Sequence, residues 1–162
     1  RKMNFVVSGE DEIKKVIEPL LKDAGAAGVW DFGTAEGAAN TVKLCGNYLI
    51  ATIIKAIGES TQLAEKSWVD PKVMWHMFTQ TLFSSPVFIN YSNVILQQRF
   101  EPAAFAMKLG LKDINLVVQQ AEAVGQPMPL ASLLQENLNK LVDEGHETLD
   151  WSALAMAERI LK

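Results

Sequence analysis

Cysteine, histidine and runs of basic charge are all scarce in this sequence. One cysteine, Cys45, occurs in 162 residues, so no disulfide can form within the chain, and a reducing, cytoplasmic setting is the expectation. Two histidines, His76 and His146, stand far from Cys45 and from each other. No zinc spacing exists, and no metal site is expected. No Lys/Arg run is long enough to track phosphates and the net charge is −4, which argues against nucleic acid as a partner. The most apolar window, Tyr48 to Ile57, is about ten residues long and carries Lys55, against the roughly 20 residues that a membrane span requires. No signal-peptide pattern is present, and the chain starts at Arg1 rather than methionine. None of the ten glycines falls in a GxGxxG fingerprint, so the sequence carries no recognisable dinucleotide-phosphate loop.

What the chain does have is apolar material in two textures. Hydrophobic residues make up 49% of it, enough for a sizeable core in a chain of about one domain. Met3 to Val7 is a short β-favouring run stopped by Ser8-Gly9, and Ala27 to Phe32 reads as a second strand ending at Gly33. Between them Ile13, Val16, Ile17, Leu20 and Leu21 form a helical stripe over Glu10 to Ala24, which Pro19 is expected to bend or shorten. Two short strands and one helix cannot cover both faces of their own sheet, and Phe5, Val7, Val29, Trp30 and Phe32 would want partners. Residues 1–34 are therefore expected to be the end of a sheet domain whose earlier strands lie upstream of Arg1.

Residues 35–162 read as an all-α domain. No proline interrupts Gly37 to Ser67, a single helix of roughly 30 residues and about 45 Å. Its apolar character on nearly every face around Leu49–Ile57 predicts that other helices surround it. Asp70-Pro71 and Ser85-Pro86 are N-cap signals for helices reaching Leu82 and Gln98. Further helices are expected over Ala103 to Val124, Leu130 to Glu144 and Trp151 to Leu161, the last capped by Asp150.

Two groups of residues could carry chemistry. Lys43 and Asn47 are four apart, share one helix face, and lie in the first turns after Gly37. N–H groups at a helix start favour a nearby anion. A lysine there can bind a carboxylate or exchange a proton with a reacting hydroxyl or carbonyl, while the Asn47 amide fixes the same oxygen. A solvated lysine beside a hydrogen-bonded surface asparagine satisfies the same spacing, and on spacing alone it is the plainer reading. Phe105 and Lys112 are seven apart, hence on one face of the expected helix, with Asp113 next to the lysine. Here the plainer reading is a core phenylalanine beside an exposed ion pair. His76 reads as a packed helix residue and Cys45 as a small buried one, with the four tryptophans as core and interface anchors. Ser84 and Ser85 have no histidine that spacing ties to them, so a hydrolase triad has no support.

Taken together, two segments resemble the signatures of the β-hydroxyacid dehydrogenase family, which includes 3-hydroxyisobutyrate, tartronate semialdehyde and succinic semialdehyde-reducing enzymes. Gly37-Ala38-Ala39-Asn40-Thr41-Val42-Lys43-Leu44-Cys45-Gly46-Asn47 is similar to the family's GxGxxxKxxxN element. Phe105-Ala106-Met107-Lys108-Leu109-Gly110-Leu111-Lys112-Asp113 is similar to its second signature, a phenylalanine seven residues before Lys-Asp. The closing Asp150-Trp151-Ser152-Ala153-Leu154 also resembles the family, and the resemblance covers essentially the whole chain. It departs at Ala39, where the motif has its second glycine, and at Gly46, where another asparagine is common.

The resemblance implies a mainly α fold: a multi-helical C-terminal domain around one long central helix, preceded at residues 1–34 by a strand–helix–strand remnant of an α/β Rossmann domain. It implies NAD or NADP as cofactor, bound mainly by the N-terminal domain outside this chain, and hydride transfer between the nicotinamide and a small hydroxy acid or semialdehyde. Lys43 is then the catalytic general acid/base. Asn47, Gly37 and Asp113 serve the substrate, and Lys112 and Phe105 the cofactor. Retention of Lys43, which related imine reductases usually lack, points to acid-type substrates. The chain by itself would be inactive, and its helical domain would pair subunits into a homodimer or homotetramer. The competing expectation is a non-catalytic helical dimerisation module, suggested by the long apolar helix.

Overall fold

The computed structural model describes residues 3–160; the expected helix end at Leu161 lies outside the described residues. They cluster into two compact units, one up to Gly46 and the other from Asn47 onward.

The first unit contains strand β1 (Met3–Val7), helix α1 (Asp11–Asp23) and strand β2 (Ala26–Asp31). The strands pair in parallel, Phe5 opposite Val29 and Val6 opposite Trp30, which requires the crossover that α1 supplies. Asp11 and Glu12 in its first turn and Lys22 in its last suit the helix dipole. The helix is not shortened at Pro19. Pro19 and Lys15 are both exposed, so water can satisfy the carbonyl that the missing proline N–H leaves over. Lys14 reaches the end of β2, with Nζ 2.8 Å from Asp31 Oδ1. Ile13, Val16 and Leu20 of α1 remain exposed, as do Trp30 and Phe32.

Helix α2 (Ala38–Lys66) crosses from the first unit into the second. The second unit continues with α3 (Pro71–Gln80), α4 (Pro86–Leu96), α5 (Met107–Ala123), α6 (Pro129–Asp143), a 3-10 turn (Trp151–Met156) and α7 (Ala157–Ile160). Asp70 caps α3 by accepting from Lys72 N at 2.8 Å, as its position before Pro71 implies. The core joins Ala51, Ile54 and Ile57 of α2 to Trp75, Ile95, Met107, Ile114, Leu134, Leu138, Trp151 and Leu154. At Gly58 the helix lies directly on the 3-10 turn, where a Cβ would fall 2.1 Å from the Ala155 carbonyl oxygen.

Four expectations are corrected here. The helix expected from Ala103 begins only at Met107, and the one expected from Trp151 is a 3-10 turn followed by a short α-helix. Helix α2 is not enclosed on all sides: Cys45, Leu49 and Leu63 are exposed, and Cys45 and Leu49 share one outward face at the i,i+4 spacing. Of the tryptophans, Trp75 and Trp151 are buried anchors, but Trp30 is exposed and Trp68 is 97% exposed. Trp68 has φ 62 and the next N–H, of Val69, returns to Ala64 O, so it occupies the left-handed position that ends a helix, which turns its side chain outward.

The buried groups include a cation. Lys55 is 4% exposed, donates to Asn137 Oδ1 at 3.2 Å and lies 3.7 Å from the exposed Glu59 carboxylate. Burial pushes its pKa down, opposed by Glu59. Between that lowered value and the ordinary lysine pKa near 10.4, the unfolded chain binds more protons than the folded one, so stability rises with pH through this window. Lys55→Met should remove that rise. Urea unfolding of parent and variant at neutral pH and near pH 10 tests this; identical pH slopes would show that Lys55 contributes none of it.

Candidate active site

Helix α2 is launched by Gly37, whose φ of 81 is strained for any residue with a Cβ. Its carbonyl accepts from Thr41 N at 2.9 Å and from Thr41 Oγ1 at 3.2 Å. Nearby, Ala38 N bonds to Ala35 O and Ala39 N to Ser8 Oγ at 3.1 Å. Those two N–H groups at the helix start are therefore occupied within the protein, which narrows the anion-binding reading of this turn. Lys43 follows in the second turn with its side chain exposed. Cys45, expected to be buried, is exposed instead.

Asn47 continues the Lys43 face one turn on. Its Nδ2 donates to Asp113 Oδ2 at 2.5 Å, so two residues 66 positions apart, one from each sequence signature, meet side chain to side chain. Asp113 is 2% exposed and its Oδ1 lies 3.1 Å from the Lys112 ammonium. The buried carboxylate is thus compensated from two directions, as a charge in a core must be. The amide of Asn47 is fixed in turn by this bond. Asp113 sits behind Asn47 rather than at a surface that a substrate could touch. Lys112 extends outward from α5 and is exposed.

Phe105 and Lys112 do not share a helix, because α5 begins only at Met107; residues 104 and 105 form a bend and Ala106 is extended. Ala106 bridges Asp150 in antiparallel fashion, and Asp150 Oδ2 accepts from Ala104 N at 2.9 Å and Phe105 N at 3.0 Å. Its other oxygen accepts from Ser152 N at 2.9 Å and Ser152 Oγ at 2.6 Å. One carboxylate therefore ties the bend at Ala104–Phe105 to the residues before the 3-10 turn and caps that turn as well. The Phe105 ring packs edge-on against Trp151 at a centroid distance of 4.8 Å. Trp151 Nε1 donates to the Tyr91 hydroxyl at 2.9 Å, and burial pushes the Tyr91 phenol pKa up.

Asp150 was legible only as a helix cap; its second role depends on a segment some 45 residues away, which no local pattern signals. His76 is exposed rather than packed, because it shares the outward face of α3 with Val73 and Met77 while Trp75 turns inward. Ser84 and Ser85 are exposed and lie outside this group. Among the described residues no cluster of His, Cys, Asp or Glu is placed to hold a metal ion, and no helix is long and apolar enough to cross a membrane. Toward a nicotinamide dinucleotide the fit is partial. The exposed Lys112 ammonium, steadied by Asp113, offers a cation, while the Phe105 ring lines a different cavity and no glycine-rich phosphate loop occurs in the sequence.

Comparison with known proteins gives a family and a fold. A family model described as the NAD-binding domain of NADP-dependent 3-hydroxyisobutyrate dehydrogenase matches residues 37–157. An uncharacterized oxidoreductase of Bacillus subtilis, YfjR, is 35% identical over 94% of the chain and 52% of its own length. The 2-hydroxy-3-oxopropionate reductase of Escherichia coli is 26% identical over 98% of the chain and 53% of its own length. The crystal structure of 3-hydroxyisobutyrate dehydrogenase from Salmonella typhimurium superposes with a TM-score of 0.80 at 28% identity, covering 91% of this chain and 51% of that one. The Mycobacterium tuberculosis 3-hydroxyisobutyrate dehydrogenase with L-serine gives 0.84 at 25%, covering 98% and 55%. The chain spans about half the length of the curated relatives it matches. Its mainly α fold, with one long helix after a two-stranded parallel sheet, is that of the matching half of these dehydrogenases. By the match over residues 37–157, the chain belongs to the family of the NAD-binding domain of NADP-dependent 3-hydroxyisobutyrate dehydrogenase, whose cofactor is NAD(P).

Proposed function

We propose that the intact protein is an NAD(P)-dependent dehydrogenase or semialdehyde reductase acting on a small hydroxy acid, with Lys43 as its general acid/base. In this reading residues 1–34 close a nucleotide-binding domain and residues 35–162 supply the helical domain. The observation that carries it is the Asn47–Asp113 hydrogen bond, which joins the two signature segments. Relatives named for 3-hydroxyisobutyrate, 2-hydroxy-3-oxopropionate and L-threonate support the substrate class.

NAD(P), when bound, accepts or supplies the hydride. Lys43 Nζ takes the hydroxyl proton as the alcohol is oxidised, and returns it to the developing alkoxide in the reverse direction. Asn47 holds that oxygen through the part of its amide that Asp113 does not engage, so the oxygen is oriented before the proton moves. Asp113 acts through Asn47 and Lys112 as a positioning residue. Lys112 and Phe105 would hold the nicotinamide end of the cofactor.

The test is formation of NAD(P)H by the intact protein with a panel of short hydroxy acids, 3-hydroxyisobutyrate among them. Asn47→Ala should lower kcat/KM about 100-fold, the scale of a misplaced reacting atom. Failure of the parent protein to oxidise any acid on the panel would refute the proposal.

A further inference from the structure

Asn47 is followed one turn later on the same face of α2 by Ile50. Ile50 is one wall of a cavity of about 470 Å³ that lies wholly within the second unit. Val87, Tyr91 and Val94 of α4 form another side, Phe105 a third, and Arg99 stands on the loop that follows α4. The lining is therefore mostly aliphatic and aromatic, with a single cationic residue.

The other charged group facing the cavity is Asp150. It is 8% exposed and its two oxygens already accept from four donors, so it is fully engaged by its own backbone and by Ser152. Arg99 is exposed and has no ion pair or side-chain hydrogen bond among the described residues. An apolar cavity with one uncommitted guanidinium suits a ligand with an aliphatic body and an anionic end, because the planar fork of arginine matches a carboxylate in two hydrogen bonds.

We propose that this cavity receives the arm of the substrate that points away from the reacting carbon, and that Arg99 selects substrates whose arm ends in a second carboxylate. The substrate class is then a short hydroxy diacid or the matching semialdehyde. This rests on the function proposed above. Phe105 would border both the cofactor and this arm, and Tyr91 is held in the wall by Trp151.

The experiment uses the intact protein, NAD(P) and two substrates that differ only at the far end: hydroxymethylsuccinate and its distal monoamide. The diacid should be preferred about tenfold in kcat/KM, the scale of one charge-assisted hydrogen bond. Arg99→Met should bring the ratio to about one, mainly through KM for the diacid, and Arg99→Lys should restore part of it because the charge returns without the fork. A parent protein that turns over the monoamide or 3-hydroxyisobutyrate as well as the diacid, or an unchanged ratio in Arg99→Met, overturns the assignment of Arg99. Absence of turnover with every hydroxy acid tried overturns the proposed function instead, so the two failures are distinct.

Discussion

Lys43→Ala in the intact protein should lower turnover of a hydroxy acid about 1,000-fold, within the span expected when a general acid/base is removed, and leave NAD(P) affinity unchanged. The variant is structurally mild. Lys43 is exposed, and alanine suits a helix better than lysine does, so no cavity opens and loss of folding does not confuse the result. Asn47, held by Asp113, stays in place. Lys43→Arg separates the two roles open to this side chain. Arginine keeps the charge and can bind a carboxylate, but it does not give up its proton in a protein. If Lys43 transfers the proton, Lys43→Arg is as slow as Lys43→Ala; if it only binds the carboxylate, arginine restores most of the rate. Steady-state turnover with cofactor binding measured separately checks both arms. Near-normal turnover in Lys43→Ala would refute Lys43 as the general acid/base.

Gly58→Ala should be the most damaging single methyl addition in the helical unit. The new Cβ would lie 2.1 Å from the Ala155 oxygen, 2.5 Å from its Cα and 2.6 Å from its carbonyl carbon, all of them backbone atoms that cannot turn aside. Ala155 belongs to a 3-10 turn buried along its whole length, and its oxygen also accepts from Gln62 Nε2 at 3.1 Å. Either α2 or the turn must move, with the core between them. Overpacking of this kind costs about 3 kcal/mol, which for a chain of this size lowers Tm by roughly 6–12 °C. The control lies on the same helix. Gly46 has nothing within 4 Å of its virtual Cβ, so Gly46→Ala should stabilise by about 0.5–1 kcal/mol through helix propensity. Calorimetry of both variants decides the matter, and a Gly58→Ala melting temperature equal to that of the parent would mean that the turn does not lie against α2.

Much of this architecture was readable because its signals are local. Asp70-Pro71 and Ser85-Pro86 mark the starts of α3 and α4 to the residue, and the strand–helix–strand of the first unit follows from two short β-favouring runs that give way to Gly9 and Gly33. What could not be read depends on partners far along the chain. Ala103-Ala104-Phe105-Ala106 has a helix-compatible composition, yet Ala104 and Phe105 form a bend whose N–H groups donate to the Asp150 carboxylate. Lys112-Asp113 reads as a surface ion pair until Asn47 covers the acid, which spacing within either helix cannot reveal. Exposure misled in the same way. Cys45 and Leu49 are apolar, but which stripe of a helix lacks neighbours is decided by where other helices lie, not by its own sequence. Arg99 and Ile50 escaped notice because a cavity wall assembled from α2, α4 and two loops leaves no periodic mark.

The double duty of Asp150 has a consequence for synthesis. The Asp150 carboxylate that holds the bend at Ala104 and Phe105 leaves the ribosome some 45 residues after them. Until then, the stretch from Ala103 is free to follow its helical tendency and to join α5. The Phe105 wall of the candidate site is therefore a late acquisition of the nascent chain, completed in the same event that docks the Trp151–Met156 turn into the core.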